Sequence, residues 1–185
     1  MSGDKTVLVA YASAHGSTRG IAQAIAERLT QAGLHADVRA IADSDGVDSY
    51  DALVLGSAIH NRAWLPQASA FLRSHASGLA GRPVWLFSVS SVGETSSFFG
   101  PRLSRFVQRV RRDTPEMAGF RRTVALRDHR DFAGVIKASH WSRLGDLFMK
   151  AFGGTYGDHR DWRDIDAWAD GIARRLEDEP PRHAT

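Results

Sequence analysis

The chain has 185 residues, 43% hydrophobic and 24% charged, an ordinary balance for a globular domain with one sizeable core and too short for two. It contains no cysteine, which excludes disulfides, thiolate metal sites and cysteine nucleophiles and suits a reducing compartment. The net charge of +3 conceals an asymmetry, because residues 99–150 carry 12 basic and 5 acidic side chains while residues 1–98 carry 7 and 8; positive charge gathered in one third of the chain suggests a local surface for an anionic partner.

In chain order, residues 7–12 form a short apolar run stopped by Ser13-Ala14-His15-Gly16-Ser17-Thr18. Ile21, Ala22, Ile25, Leu29 and Ala32 then recur at helical spacing, so strand, loop and a helix over 17–32 are predicted, with Gly33 as its C-terminal cap. A helix opening directly after a small polar loop turns unpaired N–H groups and its positive dipole end toward that loop, where phosphate is the usual guest. The loop lacks the Gly-x-x-x-x-Gly-Lys of nucleotide triphosphate sites and the three-glycine spacing of dinucleotide sites. Hydroxyls at Ser13, Ser17 and Thr18, with main-chain N–H groups, suit one terminal phosphate monoester, and His15 adds positive charge when protonated. A Ser-rich helix cap without a ligand accounts for the loop equally well on its own.

Residues 36–41 read as a second, shorter strand and 43–50 as a polar loop or at most one helical turn. Residues 52–56 are a buried third strand ending in Ser57-Ala58-Ile59-His60-Asn61. Pro66 opens a helix supported by Ala68, Phe71, Leu72, Ala76 and Leu79 and running to Gly81. Residues 83–89 are a fourth buried strand, whose end carries Ser88, Val89, Ser90, Ser91, Val92 and Gly93. Pro101 starts a helix with Leu103, Phe106, Val107 and Val110 on one face and Arg102, Arg105, Arg109 and Arg112 on another.

A fifth strand is predicted over 122–136, with an interruption near 127–130. Trp141, Leu144, Leu147, Phe148, Ala151 and Phe152 make a short apolar helix closed by Gly153-Gly154. The last helix spans 164–177 with Ile165, Trp168, Ala169, Ile172 and Leu176 inward, and 180–185 is a disordered tail. Alternating strands and helices predict a single α/β domain over 1–179, a parallel sheet with helices on both faces. Ligands of such sheets bind beyond the carboxyl ends of the strands, where three small polar strand ends fall here. The opening residues lack a signal pattern and no apolar run approaches membrane-spanning length, so a cytoplasmic protein is expected.

These loops carry a resemblance. Residues 13–18 resemble the flavodoxin phosphate loop, Thr/Ser-x-Thr-Gly-x-Thr, departing at the third place, where His15 stands for a hydroxyl residue. Tyr50-Asp51-Ala52-Leu53-Val54-Leu55-Gly56-Ser57 resembles that family's third strand and second flavin loop, and Phe87-Ser88-Val89-Ser90 its third. Phe132-Ala133-Gly134-Val135-Ile136, the apolar helix and Asp161-Trp162 are similar to the flavodoxin-like, menaquinone-dependent protoporphyrinogen oxidases.

The resemblance implies a doubly wound five-stranded parallel sheet of order 2-1-3-4-5, with an extra helix after the fifth strand. It implies noncovalent FMN, or a deazaflavin coenzyme in its place, with the phosphate on Ser13, Ala14, His15, Gly16, Ser17 and Thr18. The ring would lie between Ser57, Ala58, Ile59, His60, Asn61 and the segment from Ser88 to Gly93, with Trp64 and His60 as candidate stacking side chains. The implied activity is an oxidoreductase passing electrons between an organic substrate and a quinone; the alternative is a flavodoxin-type carrier docking on redox proteins. The positive segment 99–150 favours the former, because it stabilises an anionic reduced flavin and raises its potential. Arg102, Arg105, Arg109 and Trp141 form a candidate surface for propionates, anionic headgroups or a quinone tail, with peripheral contact at the inner membrane face. No nucleic-acid partner and no metal are expected. No catalytic side chain is singled out, since the flavin itself carries the hydride chemistry; His60, His129 and His140 are candidate proton shuttles that stay outside that assignment.

Overall fold

The computed structural model describes residues 5–44, 46–79, 81–98, 115–136 and 155–179. Strand β1 (Thr6–Ala12) runs through the middle of the sheet. Val7, Leu8, Val9 and Ala10 are all inaccessible, because a central parallel strand is covered on both faces and needs apolar residues at every position. Helix α1 (Ser17–Gln31) buries Ile21, Ala22, Ile25, Ala26 and Leu29. It ends in a Schellman motif: Gly33 has φ 88°, its N–H donates to Thr30 O at 3.0 Å, and Leu34 N–H reaches Leu29 O at 3.1 Å.

Strand β1 pairs with β2 (His35–Ala40) on one side and with β3 (Ala52–His60) on the other. Two 3-10 turns, Ile41–Asp43 and Val47–Ser49, fill the connection between β2 and β3. A two-residue strand β4 (Ala63–Trp64) folds back antiparallel on the end of β3. Helix α2 (Pro66–Ser74), β5 (Pro83–Ser90), helix α3 (Pro115–Thr123) and β6 (Ala125–Ala133) follow. The main sheet runs β2-β1-β3-β5-β6 with all five strands parallel, which is the expected 2-1-3-4-5 order once the short β4 is set aside. Beyond it, β7 (Val135–Ile136) pairs antiparallel with β8 (Gly157–Asp158), and helix α4 (Trp162–Asp178) closes the described chain.

The fifth parallel strand starts at Ala125, three residues later than expected, because Met117, Phe120 and Val124 are buried at helical spacing and hold 115–123 as a helix. Its expected interruption is a β-bulge: Val84 faces Leu126 while Trp85 faces Asp128, leaving Arg127 as the extra residue. Helix α4 begins at Trp162, before the expected 164, because the Asp161 carboxylate accepts the Asp164 N–H at 3.2 Å and caps it there. The predicted basic helix with Arg102, Arg105 and Arg109, the apolar helix with Trp141, and the tail 180–185 lie outside the described residues. Among the described residues no helix is long and apolar enough to cross a membrane.

Alternation along the strands divides the core. Val7, Val9, Val54, Trp85, Phe87 and Phe132 face α1 and α4, whereas Leu8, Leu53, Leu55, Val84 and Leu86 face α2 and α3. Helix α4 is also tied electrostatically. The Lys5 ammonium donates to the carbonyls of Leu176 and Glu179 at its end. Arg28 grips Asp170 with two bonds, Nε to Oδ1 at 2.6 Å and Nη2 to Oδ2 at 2.9 Å. Those hydrogen bonds hold the Asp170 carboxyl below its ordinary value of 3.8. A depressed carboxylate contributes stability above its unfolded pKa and loses it as pH falls through the folded one. Asp170→Asn is therefore expected to lower Tm at pH 7 by roughly 1–3 °C, a size typical of a half-exposed ion pair, and the gap should close in strong acid. Thermal melts of both proteins at pH 7 and pH 2 check this.

Candidate functional site

The carboxyl ends of three strands are brought side by side by register. Ala12 lies opposite Ser57, and Ser57 opposite Ser88, so the segments leaving β1, β3 and β5 emerge next to one another along one edge of the sheet. This is the switch point of a doubly wound sheet, where β1 has β2 on one side and β3 on the other.

In the first segment Gly16 takes φ 90° at the opening of α1, and its N–H donates to Ser13 Oγ at 2.9 Å. The first helical bond is Gly20 N–H to Gly16 O at 3.1 Å. The N–H groups of Ser17, Thr18 and Arg19 therefore precede the helical ladder and have no acceptor within it. Ala14, His15 and Gly16 are exposed, and residues 13–20 contain no carboxylate. The donor set thus fits a phosphate: main-chain N–H groups at the positive end of a helix, in a stretch that has no carboxylate of its own. Two hydroxyls differ from expectation. Thr18 is buried, and Ser17 Oγ accepts the Val135 N–H at 3.0 Å, so it has only its own proton to offer outward.

The second segment is strand for longer than its composition suggests. Residues 57–60 continue β3, and Ile59 pairs with Trp64 and His60 with Ala63. Only Asn61 and Arg62 turn, with φ of 49° and 63°, the left-handed pair of a two-residue type I′ hairpin. Ser57 is wholly buried, its Oγ accepting the Leu65 N–H at 3.0 Å, so its side chain faces the core. Ala58 and Ile59 are half-buried, while His60 and Asn61 are exposed.

Trp64 must be reassigned. Its indole is 4% exposed, lies 6.0 Å from the Phe120 ring and donates Nε1–H to Ser88 Oγ at 2.8 Å. It locks the hairpin to β5 from inside the α2/α3 layer rather than facing out to stack, and His60 remains the exposed ring at this end. An indole only donates, so Ser88 Oγ accepts from it, and the same hydroxyl is hydrogen-bonded to His129 Nε2, 2.8 Å away. Nothing local in the sequence distinguishes His129 from the other histidines.

In the third segment Ser88, Val89 and Val92 are buried, so only main chain and the half-exposed Ser90 and Ser91 line the edge. The segment closes on itself: Gly93 N–H donates to Ser96 O at 2.8 Å and Phe98 N–H to Ser91 O at 3.1 Å. A Cβ on Gly93 would sit 2.5 Å from Ala133 N, so only glycine permits this approach to β6. Arg130 pins the segment to α4, pairing with Asp164 on one side and with Glu94 at 3.4 Å on the other. Burial works against the Arg130 charge, but the Asp164 hydrogen bond and the carboxylates of Glu94 and Asp128 outweigh it and raise its pKa.

The family model described as Flavodoxin domain matches residues 8–121. No curated protein matches the chain. Among solved structures, a flavodoxin from the domain Archaea is 13% identical, with TM-score 0.57, covering 93% of this chain and 99% of its own. Flavodoxin 1 from Bacillus cereus is 13% identical, with TM-score 0.56 over 92% of this chain and 98% of its own. The rubredoxin oxygen:oxidoreductase of Desulfovibrio gigas is 16% identical, with TM-score 0.57; the match spans 95% of this chain but only 37% of that larger one. At these identities the likeness is one of fold.

Proposed function

Because the chain belongs to the flavodoxin domain family, we propose that it is an FMN-dependent redox protein. Its cofactor phosphate rests on residues 13–18, and the ring lies between residues 57–61 and 88–93. The observation that carries this reading is the lateral register of Ala12, Ser57 and Ser88, which brings a phosphate-suited helix opening beside two segments offering chiefly main-chain groups. When bound, the flavin supplies the electron chemistry. The chain's own part is to hold and orient: first-turn N–H groups of α1 bind the phosphate, and backbone beyond Ser57 and Ser88 meets the polar edge of the ring. The bond from Trp64 to Ser88 keeps those two segments in fixed relation, and the hydrogen bond between Ser88 Oγ and His129 Nε2 holds the second of them to β6.

Within that class the reading is an oxidoreductase of the flavodoxin-like protoporphyrinogen oxidase type, passing electrons between an organic substrate and a quinone. It is supported by the charge of residues 99–150, with 12 basic against 5 acidic side chains, a poor match to an acidic docking surface. Arg102, Arg105 and Arg109 would meet propionates or anionic headgroups, with Trp141 on an apolar wall, at the cytoplasmic face of a membrane. The second reading, a one-electron carrier docking on redox proteins, is favoured by the flavodoxins among the structural neighbours. A deazaflavin in place of FMN is a variant of either.

The test has two stages. Titration of the purified chain is expected to quench FMN fluorescence at one equivalent; failure with both FMN and a deazaflavin would end the flavin reading. Anaerobic addition of protoporphyrinogen is then expected to bleach the bound FMN, and a menaquinone analogue to restore its colour. Bound FMN that porphyrinogen leaves oxidised would overturn the oxidase reading in favour of the carrier.

A further inference from the structure

Arg160, 140 positions further along the chain, reaches Gly20 in the first turn of α1. The two-stranded β7–β8 strap lies against the opening of α1: Val135 N–H donates to Ser17 Oγ at 3.0 Å, and His159 N–H donates to Gly134 O at 3.3 Å. Just past β8, the Arg160 guanidinium is held on two sides. Its Nε and Nη2 donate to the Asp158 carboxylate at 2.8 and 2.5 Å, and its Cζ stands 4.3 Å over the centre of the Trp162 ring. One edge and one face are thereby committed.

The remaining nitrogen, Nη1, lies against the first turn of α1, where a Cβ on Gly20 would come within 2.5 Å of it. Glycine inside a helix weakens it, so the close approach of the arginine is obtained at some cost in helix strength. A Cβ also tilts toward the helix N-terminus, so the space Nη1 occupies is on the side of the opening turn. A cation there meets the positive end of the helix dipole, an unfavourable placement that an anion between them reverses. Asp158 offsets it only on the far edge of the guanidinium, and its carboxyl is held low by Arg160's hydrogen bonds.

We propose that Arg160 is a binding residue for the 5′-phosphate of the flavin, supplying a permanent positive charge, which residues 13–18 lack. The inference rests on the flavin reading above. Main-chain N–H groups and hydroxyls are neutral donors, whereas a phosphate monoester carries nearly two negative charges, for which a pre-oriented guanidinium is the strongest side-chain partner.

Dissociation constants for FMN and for riboflavin, which lacks the phosphate, test it in the unaltered chain, Arg160→Gln and Arg160→Lys. Arg160→Gln is expected to weaken FMN about tenfold, as for loss of one charge-assisted contact, and to leave riboflavin unchanged. Arg160→Lys should recover most of the loss, and the salt dependence of FMN binding should flatten in Arg160→Gln. Equal loss of FMN and riboflavin would make Arg160 a brace for the strap and overturn the proposal, as would unchanged FMN affinity. An unaltered, folded chain that binds neither flavin would remove the flavin reading, and the role of Arg160 with it.

Discussion

Ser17→Asp is expected to abolish tight FMN binding while leaving the fold as stable as before. Ser17 is the first residue of α1, where a carboxylate is favoured by the helix dipole by about 0.3–1 kcal/mol. An aspartate oxygen also replaces the Ser17 Oγ that accepts the Val135 N–H, so the strap keeps its anchor. The same carboxylate stands at the mouth of the proposed phosphate site. Two unit charges about 4 Å apart repel by roughly 4 kcal/mol at an effective dielectric near 20, which corresponds to about two to three orders of magnitude in Kd. The check is an FMN titration beside a thermal melt and a riboflavin titration. Tm should hold or rise, FMN affinity collapse and riboflavin affinity change little. Retained FMN binding would place the phosphate elsewhere on the chain.

Gly56→Ala is expected to produce the largest loss of stability from the smallest addition of atoms. Gly56 lies in β3 beneath the Phe87 ring, and a Cβ there would stand 1.9 Å from Phe87 Cζ and 2.3 Å from Cε1 and Cε2. The ring has no room to retreat, being fully buried with Phe132 and Trp168 at 6.1 and 6.2 Å between centroids. Overpacking of this severity falls at the upper end of the usual range, about 3 kcal/mol, or roughly 6–12 °C in Tm for a chain of this size. Phe87→Leu by itself should cost about 1–2 kcal/mol for lost aromatic burial. Combined, the two should cost clearly less than their sum, because the shorter side chain makes room for the new methyl group. Denaturant melts of the four proteins measure that coupling; strict additivity would mean the clash is relieved elsewhere.

Particular residues show how far the site was legible in advance. Ser13–Thr18 stood out because a helix opening is announced locally, by a polar loop followed at once by a three- and four-residue apolar rhythm. The same rhythm in Ile165, Trp168, Ala169, Ile172 and Leu176 marked the inward face of α4, and all five are buried. Residues 57–60 misled, because small and polar side chains at a strand end look like a loop until their partners β4 and β5 are known. Trp64 is left undecided by the sequence in the same way. An indole beside a ligand loop reads the same whether it faces outward or inward, and the choice is made by Ser88 and Phe120, 24 and 56 positions away. The sequence shows an interruption near 127–130, but its form, a bulge at Arg127, depends on the register against β5.

By itself, then, the sequence determined the kind and order of the elements, the caps that end them, and the presence of an anion-suited turn after β1. Each is a property of neighbours within a few positions, where periodicity and capping chemistry act. Strand order came through family resemblance, since apolar runs of similar length do not say which lies beside which. Only the tertiary structure decided which face of each loop is buried, and it alone brought Val135, Gly134 and Arg160 against the opening of α1. Those contacts join positions more than a hundred residues apart, and they are selected by the closing of the sheet and the packing of its layers rather than by any local preference of the chain.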